Sequence, residues 1–307
     1  MTQKKAERED INSLYGLGGK LLARKLNSIS ADKDNIILSA GLLAGTKPLF
    51  AGRLTLALNS SNNANSKESN TGGFFAEYMG RLNISALVFE GEASGCNVIY
   101  VSSQGIEICE IPELKGLDYQ HTTDAVFDYY GRNSAVGCID GLGEKSNIES
   151  AFGITDKNGK VSHFAGRRGI GAGAAFAAKG IKAIVVEAVN EQHLVFANKG
   201  VFQKSADNLI DLLNKSGESI LSTEGECLDC GYTSCNRRRM FDPCETKRNK
   251  RIEYSAEAAF IDSMGVCLFA VTELQNNTEG LQLLADMCNA RYGLNKSLDD
   301  YLGTAGE

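Results

Sequence analysis

Cys227, Cys230, Cys235 and Cys244 fall within the nineteen residues ECLDCGYTSCNRRRMFDPC. A C-x2-C pair sets two thiolates on one metal centre, and a third thiolate five residues later reaches the same centre. Thiolates are soft ligands that suit iron–sulfur clusters and zinc. The spacing alone leaves the metal open. It also leaves the fourth ligand open between Cys244 and Cys267 of DSMGVC. The nine cysteines of the chain are odd in number and otherwise scattered, which is not the pattern of a disulfide framework. In a reducing compartment such a dense cluster points to metal binding.

Two glycine-rich stretches offer a different chemistry, anion binding. In ESNTGGFFAEYMG, Asn70, Thr71, Gly72 and Gly73 are expected to open a helix. Glycines let a ligand approach the backbone, and the free N–H groups of a helix start attract negative charge. A glycine turn with an Asn or Thr cap explains the same residues without a ligand. In FAGRRGIGAGAAFAAKGIKAIVVEA, Gly166, Gly169, Gly171 and Gly173 precede an Ala-rich helix, with Arg167 and Arg168 in the loop. The glycine spacing is neither a dinucleotide fingerprint nor a Walker loop. Close helix–sheet packing through small residues is its plain alternative. Asp262 and Cys267 have their own plain reading, a capping Asp and a core Cys. His121, His163 and His193 are isolated in sequence. No zinc-protease helix, nucleophile elbow or spaced carboxylate pair stands out.

The elements that must position these residues fall in two parts. Up to AIVVEA the chain alternates short strands and helices. NIILSAG, RLTLALN, ALVFEG, NVIYVSS, IEICEI, AVGCID, ESAFGITD and KVSHFAG read as strands. SLYGLGGKLLARKLN, GFFAEYMGRLN and TTDAVFDYYG read as helices, the last with a Thr cap. Asn158-Gly159 predicts a hairpin turn. From about Asn190 onward only helices are expected, in EQHLVFANKGVFQKSADNLIDLLNKS, YSAEAAFIDSMGVCLFAVTEL and TEGLQLLADMCNARYG. The expected architecture is therefore α+β, a strand-rich N-terminal cofactor-base domain over 1–189 followed by an all-helical domain over 190–307 that carries the cysteine cluster.

Composition narrows the function classes. Of the 307 residues, 43% are hydrophobic and 23% charged, so the chain can bury an ordinary core. A net charge of −6 argues against wholesale nucleic-acid binding. No apolar run reaches membrane-spanning length, and MTQKKAERED is charged rather than signal-like, so a cytoplasmic protein is expected.

Taken in order, GLGGKLLARKL, DNIILSAGLLAGTKPLFAGRL, SNTGGFFAEYMGRLNISALVFEGEA, HFAGRRGIGAGAAFAAKGIKAIVVE, CLDCGYTSC and AAFIDSMGVCLF resemble the tungsten-containing aldehyde ferredoxin oxidoreductase family. The resemblance implies a strand-rich base on which pyranopterins clamp tungsten or molybdenum, with a [4Fe-4S] cluster beside one pterin. It implies oxidation of an aldehyde to a carboxylic acid, with electrons passed to ferredoxin or another carrier. Carried over by motif, Arg53, Asn70 and Gly72 would contact pterin and its phosphate, and Ala165, Gly166 and Arg167 would do so from the other side. Asp262 would hydrogen-bond a pterin ring, and Leu268 would touch it by its backbone. Cys227, Cys230, Cys235 and Cys267 would ligate the cluster. The two glycine-rich loops are then expected to converge on one anionic site.

Some features depart from the family pattern. The triad here is C-x2-C-x4-C rather than C-x2-C-x3-C, and His163 stands where the family often has Arg. Cys267 follows Cys235 by only 32 positions, an interval that in the family holds a long helical domain with the catalytic Glu and His. The start of the family's first domain also has no counterpart, so a shortened member is expected and no catalytic residue is named. A second subunit completing the site, or a homo-oligomer, is consistent with that. Two alternatives stand beside the enzyme: an electron-transfer or accessory subunit of the same family, and a zinc-stabilised binding module. The basic run NRRRMFDPCETKRNKR beside the cysteines reads as a solvated loop or as a dock for an acidic electron carrier.

Overall fold

The computed structural model describes residues 6–7, 9, 14–30, 34–46, 51–60, 63–156, 158–166, 170–187, 194–215, 255–266, 271 and 273–306. Among the described residues, the strands lie in the first part of the chain. β1 (Ile36–Ala40), β2 (Leu54–Ser60), β3 (Asn63–Thr71) and β4 (Ala86–Phe89) form an antiparallel sheet in the order β3-β2-β1-β4. β5 (Asn97–Ser102), β6 (Gly105–Glu110), β7 (Ser134–Cys138), β8 (Phe152–Thr155), β9 (Val161–Ala165) and β10 (Ile181–Glu187) form a second sheet in the order β6-β5-β10-β7-β8-β9. Within it only β10 and β5 run parallel. The fold is α+β, with a strand-rich first part and a helical second part.

Helices fill and cover these sheets. α2 (Phe75–Arg81) and α4 (Ala172–Ala178) lie in the central core, where Phe75, Met79 and Phe176 meet Leu38, Leu54 and Leu56 of one sheet and Phe152, Ile154 and Ile184 of the other. α1 (Gly19–Ile29) covers the opposite face of the first sheet, its Ala23 against Ile37 and Ala57. α3 (Tyr119–Tyr130) covers the far face of the second, its Val126 and Phe127 against Val136 and Val185. β1 and β10 are thus buried on both faces, which is why IILSA and IVVE run apolar without alternation.

Among the described residues the helical part has α5 (Lys199–Lys215), α6 (Ala256–Ser263), α7 (Thr278–Tyr292) and α8 (Leu298–Gly306). Its core takes in Leu42, Leu43 and Ala51 from turns of the strand-rich part, so the two parts share buried apolar surface. Arg291 strengthens that join. Its buried guanidinium donates to the Leu42 and Ala44 carbonyls at 2.7 Å each, and the Tyr292 hydroxyl donates to Leu42 at 2.8 Å.

Several elements differ from the sequence-based expectation. β3 was not expected at all: NANSKESNT is polar apart from Ala64 and shows no apolar alternation. Asn70 and Thr71 therefore end a strand rather than cap a helix, and α2 starts at Phe75 with Phe74 as its N-cap. α3 begins earlier than expected, capped by Asp118, whose carboxylate accepts from the His121 N–H. The helix expected through YSAEAAFIDSMGVCLF breaks after Ser263, and Gly265 takes a φ of +76°. α8 was not expected.

Candidate cofactor site

The site is built where the end of α6 is laid against the first sheet. Leu42 N–H donates to the Ser263 carbonyl at 2.9 Å, Leu43 N–H to Met264 at 3.0 Å, and Arg53 N–H to Gly265 at 3.1 Å. Backbones this close leave no room for side chains. A Cβ on Gly18 would come 2.5 Å from the Ser263 carbonyl oxygen, and one on Gly41 would collide with the Gly265 backbone. The glycines therefore serve close approach here.

That docking brings three residues from distant positions together. Asn70 lies opposite Thr55 in the β2–β3 register. The Thr55 hydroxyl donates to Asn70 Oδ1 at 2.8 Å, so the amide turns its NH2 group the other way. That group donates to the two Asp262 carboxylate oxygens at 3.2 and 3.3 Å. Arg53 Nη2 lies 3.8 Å from Asp262 Oδ1. Both charged side chains are mostly buried yet reach solvent, Arg53 12% and Asp262 20% exposed. A carboxylate has about four lone-pair sites and a guanidinium five donors, so both keep capacity for a ligand.

Strand parity places the neighbours. Glu68, on the Asn70 side of β3, accepts from Arg24 at 2.8 and 3.1 Å and pairs with Lys20 at 3.4 Å, both from α1. Ser69 faces the other way, and its hydroxyl accepts from the Gly166 N–H at 3.0 Å. Gly166 follows β9 directly and has a φ of +72°. Ala165 and Gly72 are buried. Gly73, with a φ of +108°, sits against Ile154 and the buried His163. The ends of β3 and β9 are therefore side by side. Arg53, Asn70 and Asp262 form one cluster, and Gly166 touches the residue next to Asn70. Sequence reasoning missed Thr55 and Ser69 as positioning residues. Their signal was parity along β2 and β3, which needs β3 to be read as a strand.

Arg167, Leu268 and the cysteines at 227, 230, 235, 244 and 267 lie outside the described residues. Among the described residues no group of three or more His, Cys, Asp and Glu side chains could hold a metal. The described cysteines, Cys96, Cys109, Cys138 and Cys288, are free thiols. Burial pushes Cys138 and Cys288 up to about 12, so both stay protonated and inert. No helix among the described residues is long and apolar enough to cross a membrane.

Comparison with known proteins adds to this geometry. The chain is similar to the tungsten-containing aldehyde ferredoxin oxidoreductase of Pyrococcus furiosus, with 27% identity over 155 residues, 50% of this chain and 25% of that protein. It is also similar in fold to a solved structure of the active site complex BamBC of benzoyl coenzyme A reductase with 1,5-dienoyl-CoA. The TM-score there is 0.57 at 21% identity, over 68% of this chain and 33% of the other. The chain thus spans a quarter of the length of the curated relative and a third of the solved chain. A family model, the N-terminal domain of aldehyde ferredoxin oxidoreductase, matches residues 1–188, and the chain belongs to that family.

Proposed function

We propose that this chain is the cofactor base of a tungsten or molybdenum pyranopterin oxidoreductase that also carries a [4Fe-4S] cluster. The observation that carries the reading is the cluster of Arg53 and Asn70, from the family-matched base, with Asp262 from the helical part. The donor set fits such a group. Asp262 offers a carboxylate to the amino and ring N–H edge of a pterin, while Arg53 and the Asn70 amide offer donors to its carbonyl or phosphate oxygens. Gly72, Ala165 and Gly166 bring main chain close to the same region, and Arg167 and Leu268 complete the proposed contacts. Cys227, Cys230, Cys235 and Cys267 are the proposed cluster ligands.

When bound, the metal centre supplies two-electron chemistry, in which an aldehyde and water give a carboxylic acid, two protons and two electrons. The residues of this chain bind and orient. Thr55 fixes the Asn70 amide, Asn70 and Arg53 hold the Asp262 carboxylate in place, and the buried glycine contacts keep α6 from moving away. This preorganisation is the protein's share of cofactor chemistry. The proposed electron acceptor is ferredoxin or another carrier.

A second reading, an electron-transfer or accessory subunit, is favoured by the similarity in fold to a chain of the BamBC complex. Anaerobic purification with analysis of W, Mo, Fe and Zn, followed by aldehyde-dependent dye reduction, separates the readings. Tungsten or molybdenum with pterin and activity supports the enzyme. Iron and sulfide alone support the accessory subunit. Zinc alone, in a colourless protein, overturns both and supports the zinc-stabilised module.

A further inference from the structure

Asn27 and Asn35 carry the largest unpaid polar debt among the described residues. Both amides are buried, Asn27 9% and Asn35 0% exposed. Among the described residues, none of the four side-chain atoms, Nδ2 and Oδ1 of each, has a hydrogen-bond partner. Buried amide groups almost always find a partner, in protein or in ordered water.

Fold and register put the two amides in one layer. Asn35 immediately precedes β1, and its carbonyl accepts from the Asn59 N–H at 3.1 Å, continuing the pairing of Ile36 with Leu58. By strand parity Asn35 shares a face with Ile37, which packs against Ala23 of α1 and Ala57 of β2. Asn27 lies four residues after Ala23, on the same side of α1. Only six residues link Ile29 to Ile36, so the end of α1 lies near the start of β1. Asn59, half-buried, extends the same face towards solvent.

We propose that the layer between the C-terminal end of α1 and the first sheet holds ordered water bridging Asn27 and Asn35. Water matches the chemistry of the site, because it donates to the two Oδ1 atoms and accepts from the two Nδ2 groups. A cation would serve the oxygens and leave both NH2 groups unpaired. The bridge anchors one end of the helix whose other end, Gly18–Gly19, backs Asp262 and Ser263. It is independent of the proposed cofactor.

The test is a high-resolution crystal structure of the chain, with the internal water count measured by magnetic relaxation dispersion on the parent and on an Asn27→Leu, Asn35→Leu double variant. The expected result is water density within hydrogen-bond distance of both amides, and a count lower by at least one in the double variant. A direct Asn27–Asn35 amide pair with no water between them would overturn the proposal, as would an unchanged count. If the double variant does not fold, the parent crystal structure decides alone.

Discussion

Asp262 is where the reading is most exposed to test at the scale of single residues. It accepts two hydrogen bonds from Asn70 and faces Arg53, and it has capacity left for a ligand. Asp262→Asn should cost about 1.5–3 kcal/mol of stability, the scale of hydrogen bonds to a charged group. It should also cost most of the bound tungsten or molybdenum, read as metal per chain on folded protein. Thr55→Val probes the same cluster indirectly. Its hydroxyl sets the Asn70 amide, so the variant should fold normally and bind the cofactor about tenfold more weakly, the scale of losing an outer partner of a metal site. Cys288 offers a check of a different kind. Its thiol is raised from 9.0 to about 12 by burial, so its contribution to stability is complete below the ordinary thiol value and is lost as pH climbs towards the raised one. Denaturation midpoints should therefore fall through that alkaline window. Native alkylation at pH 8, read by mass spectrometry, should spare Cys288 and Cys138.

At the scale of elements, the turn at 41–44 is the seat on which the helical part rests. Arg291 reaches it from α7 by donating to the Leu42 and Ala44 carbonyls, and it also donates to Gly80 of α2 at 3.4 Å. Arg291→Met would strand buried carbonyls and should destabilise the chain by about 3 kcal/mol in denaturant titration. Gly41→Ala should be worse, since its Cβ would strike the Gly265 backbone. A stability loss below about 1 kcal/mol for either would contradict this account of the join. The same elements mark how far sequence reading goes. The nine described strands other than β3 were legible because burial imposes apolar runs or apolar alternation on them. β3 was not, because it is polar on both sides: Glu68 pairs with α1, and Ser69 accepts from the Gly166 N–H just past β9. The end of α6 was misplaced because Gly265 breaks a helix whose apolar residues continue past it. Asp118 outcompeted the expected Thr cap of α3 because the loop before it delivers the carboxylate to the His121 N–H.

For the whole molecule, the decisive fact is convergence across 192 positions, from Asn70 to Asp262. No local spacing encodes that contact. The family resemblance implies that each residue contacts a pterin, and it does not imply that the two touch one another. The physical reason is that tertiary docking creates the site: α6 is laid on the first sheet by backbone bonds and glycine contacts. The iron–sulfur proposal also belongs to this scale, since ligation free energy is folding free energy. Serine at Cys227, Cys230 or Cys235 should each lower iron per chain and destabilise the helical part. Unchanged iron in all three would remove the cluster from those residues. The central claim is that Arg53, Asn70 and Asp262 hold a pyranopterin. It is tested most directly by quantifying pterin, tungsten and molybdenum in anaerobically purified protein, parent against an Arg53→Ala, Asp262→Ala double variant shown to be folded. The account predicts pterin and metal in the parent and at least a tenfold loss in the variant. Equal pterin and metal in the two proteins, or neither in the parent purified with any partner it retains, would contradict it.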